Sequence, residues 1–224
     1  MVRWRITSMA FLALPLLGAL QVAGAQSFRP ALQGESTNVL NFVKTAFSDT
    51  QSSGSLVLRA ATCRENGDLL PDELSDPPVG PFHSIDEALT SLSRVDPRIS
   101  WSRESGMVRV RDDRVESGLL SVLIRRVQFR DRADAVLAVQ DVLSAPEVRS
   151  YIREHHIEKG MFFAAGGGLL PGPESTRGFP KLSGTLRNVT VAEALDHVAQ
   201  FFHTLWVYGE CSGNAHVRVV ITAY

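Results

Sequence analysis

Two stretches decide the fold: Ser84-Ile85-Asp86-Glu87-Ala88-Leu89 and, 106 residues later, Thr190-Val191-Ala192-Glu193-Ala194-Leu195. Each begins with a hydroxyl residue and carries a glutamate three positions on. That is a capping box, in which the hydroxyl accepts the third amide and the glutamate reaches back to the cap. Apolar residues then recur at helical spacing: Ile85, Ala88, Leu89, Leu92 and Val95 in the first, Val191, Ala194, Leu195, Val198, Phe201 and Phe202 in the second. Asp96-Pro97 stops the first helix.

Working outward, each helix is followed by a hairpin pattern. Arg98–Arg103 and Met107–Asp112 flank Glu104-Ser105-Gly106; Thr204–Glu210 and His216–Thr222 flank Ser212-Gly213-Asn214. Val108 and Val110 alternate with Arg109 and Arg111, as in a half-buried strand. Each helix is also preceded by a strand, Ser55–Cys63 or Leu182–Arg187. Leu92, Val95 and Ile99 correspond to Val198, Phe201 and Leu205, and Val108-Arg109-Val110 reappears as Val217-Arg218-Val219. The sequence therefore predicts an α+β protein with two strand–helix–hairpin (βαββ) units, at 55–115 and 181–224. Two copies are too few for a solenoid.

Between the units, 116–180 reads as a strand (Leu119–Phe129), a helical insert (Asp131–Leu143 and Pro146–His155) and a loop, Gly160–Pro180, with six glycines and three prolines. Pro146 suits a first helical turn. Ahead of them, 26–54 reads as a leader and a helix whose apolar face is Val39, Phe42, Val43, Ala46 and Phe47, capped by Asn38 or Thr37. Arg64–Pro81 is a loop with four prolines.

Residues 1–25 have the layout of a secretory signal peptide: Arg3 and Arg5, an apolar run Met9–Val22, then Ala23-Gly24-Ala25. The run is shorter than the roughly 20 residues of a membrane span. Cleavage after Ala25 leaves 224 − 25 = 199 residues, with 21 basic against 24 acidic side chains. The expected location is periplasmic or secreted, with no membrane span after signal removal. A chain that is 44% hydrophobic and 21% charged, with two cysteines, is neither a disordered tail nor a disulfide-dense miniprotein. Its near-zero net charge argues against a nucleic-acid partner.

The stretch Leu182–Leu195 resembles the short N-terminal domain shared by secretins and TonB-dependent receptors, in which a strand and short turn lead into a Thr/Ser-initiated helix with Glu-Ala-Leu and then a hairpin. The segment Ser84–Val110 is similar but looser, with a Pro-rich insertion where that family has a short turn. The resemblance implies a non-enzymatic envelope module that mediates assembly or signalling contacts. The chain would be a free-standing protein built from such modules, with an envelope protein as partner.

No catalytic, cofactor or metal constellation stands out. Glu154-His155-His156-x-Glu158 is the densest ligand-like cluster, but adjacent histidines point to different helix faces. Gly166-Gly167-Gly168 lacks the Gly-Lys-Ser/Thr of a phosphate loop. His197 and His203 do not share a face, and Asn188-Val189-Thr190 is a chance sequon. Two alternatives to the interaction module are a small periplasmic hydrolase or metal-dependent enzyme, built from Glu154, His155, His156 or His197, and a small-ligand binder using Met161–Leu170 as a lid.

The candidate interaction surface is Trp101, Arg109, Arg111, Trp206, Tyr208 and Arg218 in the hairpin strands, with core packing the competing role for the aromatics. Arg109, Arg111, Arg114, Arg125, Arg126, Arg130 and Arg132 form either a basic stripe or a solvated face paired with Asp112, Asp113, Asp131 and Asp134. Met107–Asp112 or His216–Thr222 is expected to offer an open sheet edge. Cys63 and Cys211, one in each unit of an exported chain, form either a bridge between the units or two buried thiols.

Overall fold

Asn38 opens the first helix by accepting the Asn41 amide at 2.9 Å, and α1 (Val39–Thr50) buries Val39, Phe42, Val43, Ala46 and Phe47. The computed structural model describes residues 38–63, 69–159, 180–212 and 217–224. Residues 1–25, read as a signal peptide, the expected leader up to residue 37, most of the Gly/Pro-rich loop, the Met161–Leu170 segment expected as a lid and the tip of the second hairpin lie outside the described residues.

After α1 come β1 (Gly54–Cys63), β2 (Leu69–Pro71), α2 (Ile85–Val95) and the hairpin β3 (Ile99–Glu104) and β4 (Met107–Asp112). Ser105 and Gly106 take φ values of 50° and 81° at the hairpin turn. Positive φ at both central residues matches the twist of the flanking strands, and glycine there carries no Cβ penalty. The reading of Leu119–Phe129 as one strand is corrected. Gly118–Ser121 forms a single 3-10 turn, and β5 runs from Leu123 to Arg132. Then follow α3 (Ala135–Leu143), α4 (Pro146–Glu154, proline in its first turn), β6 (Glu158–Lys159), β7 (Leu182–Thr190), α5 (Val191–Phe202), β8 (Leu205–Ser212) and β9 (Val217–Ala223). β2 and β6 were not foreseen; two or three residues carry no periodicity to read.

The class is α+β. The main sheet runs β3-β4-β1-β8-β9-β6, with β2 added to β1. β1 is parallel to both β4 and β8, so the two hairpins share one sheet on either side of β1. Gly54 sits at this junction: a Cβ there would lie 1.9 Å from the Val108 carbonyl oxygen, closer than any side chain tolerates.

The second unit departs from the first. β1 pairs in parallel with the closing strand of its own hairpin, whereas β7 leaves its unit and pairs with β5 in a separate two-stranded ribbon. β6 takes the place beside β9 that the repeat assigns to β7. The expected edge is corrected for β4, which is paired on both sides by β3 and β1; β9 is paired along β8 but by β6 only at Arg218 and Val219, so Val220, Ile221 and Thr222 have no second strand beside them among the described residues. The path ends on β3 and on the two-residue β6.

Two cores cover the two faces of this sheet. α1 and α2 pack on Leu56, Leu58, Ala60, Val108, Val110, Leu205 and Val207. On the other face α3, α4 and α5 pack on Val57, Met107, Trp206, Tyr208 and Ile221, and the β5–β7 ribbon closes over these helices through Ile124, Val127, Phe129 and Leu182.

Candidate functional site

The N-terminal half of α5 and the 3-10 turn stand over the sheet and leave a cleft of about 380 Å³. The helix is placed there by its cap. Thr190 Oγ1 accepts the Glu193 amide at 3.2 Å, and Glu193 Oε2 accepts the Thr190 amide at 2.7 Å, which is the capping box read in the sequence. The Thr190 amide, then its hydroxyl, hold the Glu193 carboxyl below the usual range. The Val191 amide donates to the Val122 carbonyl, which ties the helix start to the strand entering the ribbon. At the first helix the box is incomplete: Ser84 caps Glu87, but the Glu87 carboxylate takes the His83 amide at 2.7 Å, one residue before the cap.

β4 supplies the cations. Arg109 and Arg111 alternate with Val108 and Val110, so both guanidinium stems leave the same face and enter the cleft. Arg109 is tied down, its Nη2 on Asp196 Oδ2 at 2.7 Å and its Nη1 on Glu104 Oε2 at 2.6 Å. Asp196 is 7% exposed and also accepts Trp206 Nε1–H at 2.8 Å. Arg111 differs. Its Nη2 donates to the Val115 carbonyl, and no carboxylate lies within 4.0 Å of it among the described residues.

Two serines complete the floor. Ser55 on β1 and Ser117 at the 3-10 turn are 3% and 4% exposed, and both line the cleft. Neither hydroxyl has a hydrogen-bond partner among the described residues, and neither is sealed from solvent. Arg111, with spare donors, lines the same cleft as these two solvent-reachable hydroxyls, and such a set of donors accepts an oxygen anion.

Chain comparisons with protein-family models, with curated proteins and with solved structures find no match in any of the three.

Of the six residues expected to form an interaction surface, the structure brings together Arg109, Arg111 and Trp206. Trp206 and Tyr208 are 3% and 1% exposed, so they are core rather than surface. Tyr208 donates to Glu210 Oε1 at 2.5 Å; burial first, and then that carboxylate, push its phenol well above the usual tyrosine range. Trp101 packs on the opposite face, beside the α1/α2 core. The backbone of Arg218 pairs with Cys211 and Glu158, and its side chain lies outside the described residues. Asp196, Ser55 and Ser117 were not singled out. Asp196 sits beside Ala199 at the rim of the helix's apolar arc, where an acid reads as solvated face.

The arginine stripe divides. Arg114 pairs with Asp112 and Asp72, and Arg132 with Asp141. Of the four expected acidic partners only Asp112 takes an arginine. Asp113 accepts Ser100, Asp131 engages Ser183 and Asp134 caps α3. Arg125, Arg126 and Arg130 have no carboxylate within reach among the described residues.

The histidine cluster does not converge. His155 stacks on Tyr151 at 4.0 Å, and His197, on another helix, stacks on Phe129 at 6.1 Å. No group of three metal-ligating side chains occurs among the described residues. No helix among them is long and apolar enough to cross a membrane.

Proposed function

We propose that this chain is an exported, non-enzymatic interaction module of the cell envelope that docks an acidic side chain of a protein partner in the Arg109–Arg111 cleft. The signal-peptide layout of residues 1–25 supports export, and the likeness of Leu182–Leu195 to the short N-terminal domain of secretins and TonB-dependent receptors supports the envelope role. The observation that carries the docking site is Arg111, a guanidinium without a carboxylate among the described residues, in a cleft that Ser55, in register beside Arg109, and Ser117 also line. Asp196 and Glu104 fix the neighbouring Arg109, so the cleft is preorganised before a partner arrives.

A photo-crosslinking amino acid at Ser121, on the cleft wall, tests this in the producing cell. The expected result is one dominant protein adduct that Arg111→Glu abolishes. Adducts no different from those of a control crosslinker at exposed Glu73 overturn the reading. The volume of the cleft also lies within the range of small-molecule sites. That favours a second reading, a small carboxylate ligand, under which the Ser121 crosslinker yields no protein adduct and a mature chain carrying a small acid is found by native mass spectrometry.

A further inference from the structure

The β5–β7 ribbon is the outermost layer on its side of the molecule, and its two faces differ sharply. Val127, Phe129 and Leu186 face inward and join the core. The outward positions pair Arg126 with Arg187 and Gln128 with Thr185, and Arg130 follows where the register shifts. Residues directly opposite on antiparallel strands hold their Cβ atoms roughly 5 Å apart, and like charges there are destabilising. Arg126 makes one long contact, Nη2 to Gln128 Oε1 at 3.5 Å, and Arg187 and Arg130 have no carboxylate within reach among the described residues. On a chain whose net charge is −1, three exposed arginines without acids among the described residues are concentrated on one ribbon, two of them directly opposite each other in a pairing that works against the fold.

We infer that this outward ribbon face is a docking surface for an acidic segment of a partner protein, its carboxylates bridging Arg126 and Arg187 and reaching Arg130. The inference deepens the interaction-module reading but uses no residue of the cleft. All three cations are arginine, whose planar fork binds carboxylates, and phosphates alike, through two parallel hydrogen bonds. An anionic lipid surface fits less well. Each basic side chain near such a surface adds about fivefold to partition, so three give about a hundredfold, weak without an apolar anchor. The outward positions from Arg126 to Gln128 and their partners are arginine, glutamine and threonine, and the exposed Leu123 at the end of β5 is a single apolar side chain, too small an anchor.

The test uses the full chain and a labelled 12-residue peptide of alternating glutamate and threonine, with vesicles containing 30% phosphatidylglycerol as the lipid arm. Wild type is expected to bind the peptide in a salt-sensitive manner. Arg187→Glu, which turns the like-charged pair into an ion pair, is expected to weaken peptide binding at least tenfold while raising Tm by about 1–3 °C. Arg111→Glu is expected to leave peptide binding within twofold, which separates this surface from the cleft. The inference is overturned if wild type does not bind the peptide, if Arg187→Glu leaves affinity within twofold or lowers Tm, or if vesicles bind more tightly than the peptide.

Discussion

Asp196 and Arg109 form an ion pair at 2.7 Å that joins the helix of the second unit to the hairpin of the first. The same carboxylate takes the indole N–H of Trp206 from the second hairpin. One buried acid therefore connects α5, β4 and β8 at the floor of the cleft.

Asp196→Ala removes both contacts and leaves the Trp206 N–H buried without an acceptor. Arg109 keeps Glu104, so the guanidinium is not stranded. The expected loss is about 2–4 kcal/mol in urea unfolding, with a change in tryptophan emission in the folded state. Asp196→Asn keeps an oxygen for the indole and loses only the charge, so it should fall about midway. An Asp196→Ala variant within 0.5 kcal/mol of wild type, a figure typical of a neutral surface change, contradicts this account.

Acid sensitivity is expected from a second acidic network. Asp96 and Asp112 are 6% and 1% exposed, and each accepts the side chain of the arginine two residues later. Asp72 accepts both Arg98 and Arg114, so it links the two pairs and fastens the Pro-rich loop to the open end of the first hairpin. The Arg98 guanidinium holds Asp96 below the usual range, against the effect of burial. At Asp112 burial acts to raise the value, and Arg114 with the amides of Arg114 and Arg59 outweighs it. Both carboxyls stay ionised in the fold while the unfolded chain takes up protons near its ordinary pKa of about 4. Their stabilisation is present above that value and is lost as pH falls through the depressed folded values. Thermal unfolding should therefore give a Tm that is level from pH 7 to about 5 and drops below about 4. Asp112→Asn should lower Tm at pH 7 and flatten the acid limb; an unchanged acid slope in that variant refutes the assignment.

Local chemistry and the two hairpins were legible in the sequence, and the pairing of strands distant in the chain was not. The caps at Ser84 and Thr190, the Pro146 start and the Ser105-Gly106 turn each rest on residues within a few positions of one another, and each is where the sequence puts it. Leu182–Arg187 reads as a strand whichever strand it pairs with. Nothing in its own residues says that it leaves β9 for β5, because that choice is made by the helices the ribbon covers. The cleft is harder still. Ser55, Arg111, Ser117, Asp196 and Trp206 come from five separate segments, and only the parallel pairing of β1 with both hairpins brings them together. The arginines were visible as a group, but which of them would lack an acid depended on Asp72, far from Arg114 in the chain, and on Asp141, which reaches Arg132 from the following helix.

A Cys63–Cys211 disulfide is predicted if residues 1–25 direct export as proposed, since each unit carries one cysteine. Cys211 is 1% exposed and belongs to the core under α1 and α2. β1 and β8 run in parallel register from Gly54–Leu205 to Arg59–Glu210, which sets Ala60 next to Cys211. Beyond that point β1 carries one extra residue: Ala60 is level with Pro71, but Thr62 is level with Leu70 and Cys63 with Leu69. Cys63 thus ends the strand that lies beside the strand of Cys211. The bridge would then join neighbouring strands of one sheet, reinforcing a pairing that backbone hydrogen bonds already make. It would not be what docks the units together, as the sequence had suggested. Closing a loop of 211 − 63 = 148 residues is worth on the order of 5 kcal/mol in the chain-entropy picture, and real bridges often give less. Peptide mapping of the exported protein without reductant should find the two cysteines in one linked pair, and a reductant should lower Tm by several degrees. Recovery of both cysteines as free alkylated thiols would rule the bridge out and leave Cys211 as a small apolar core residue.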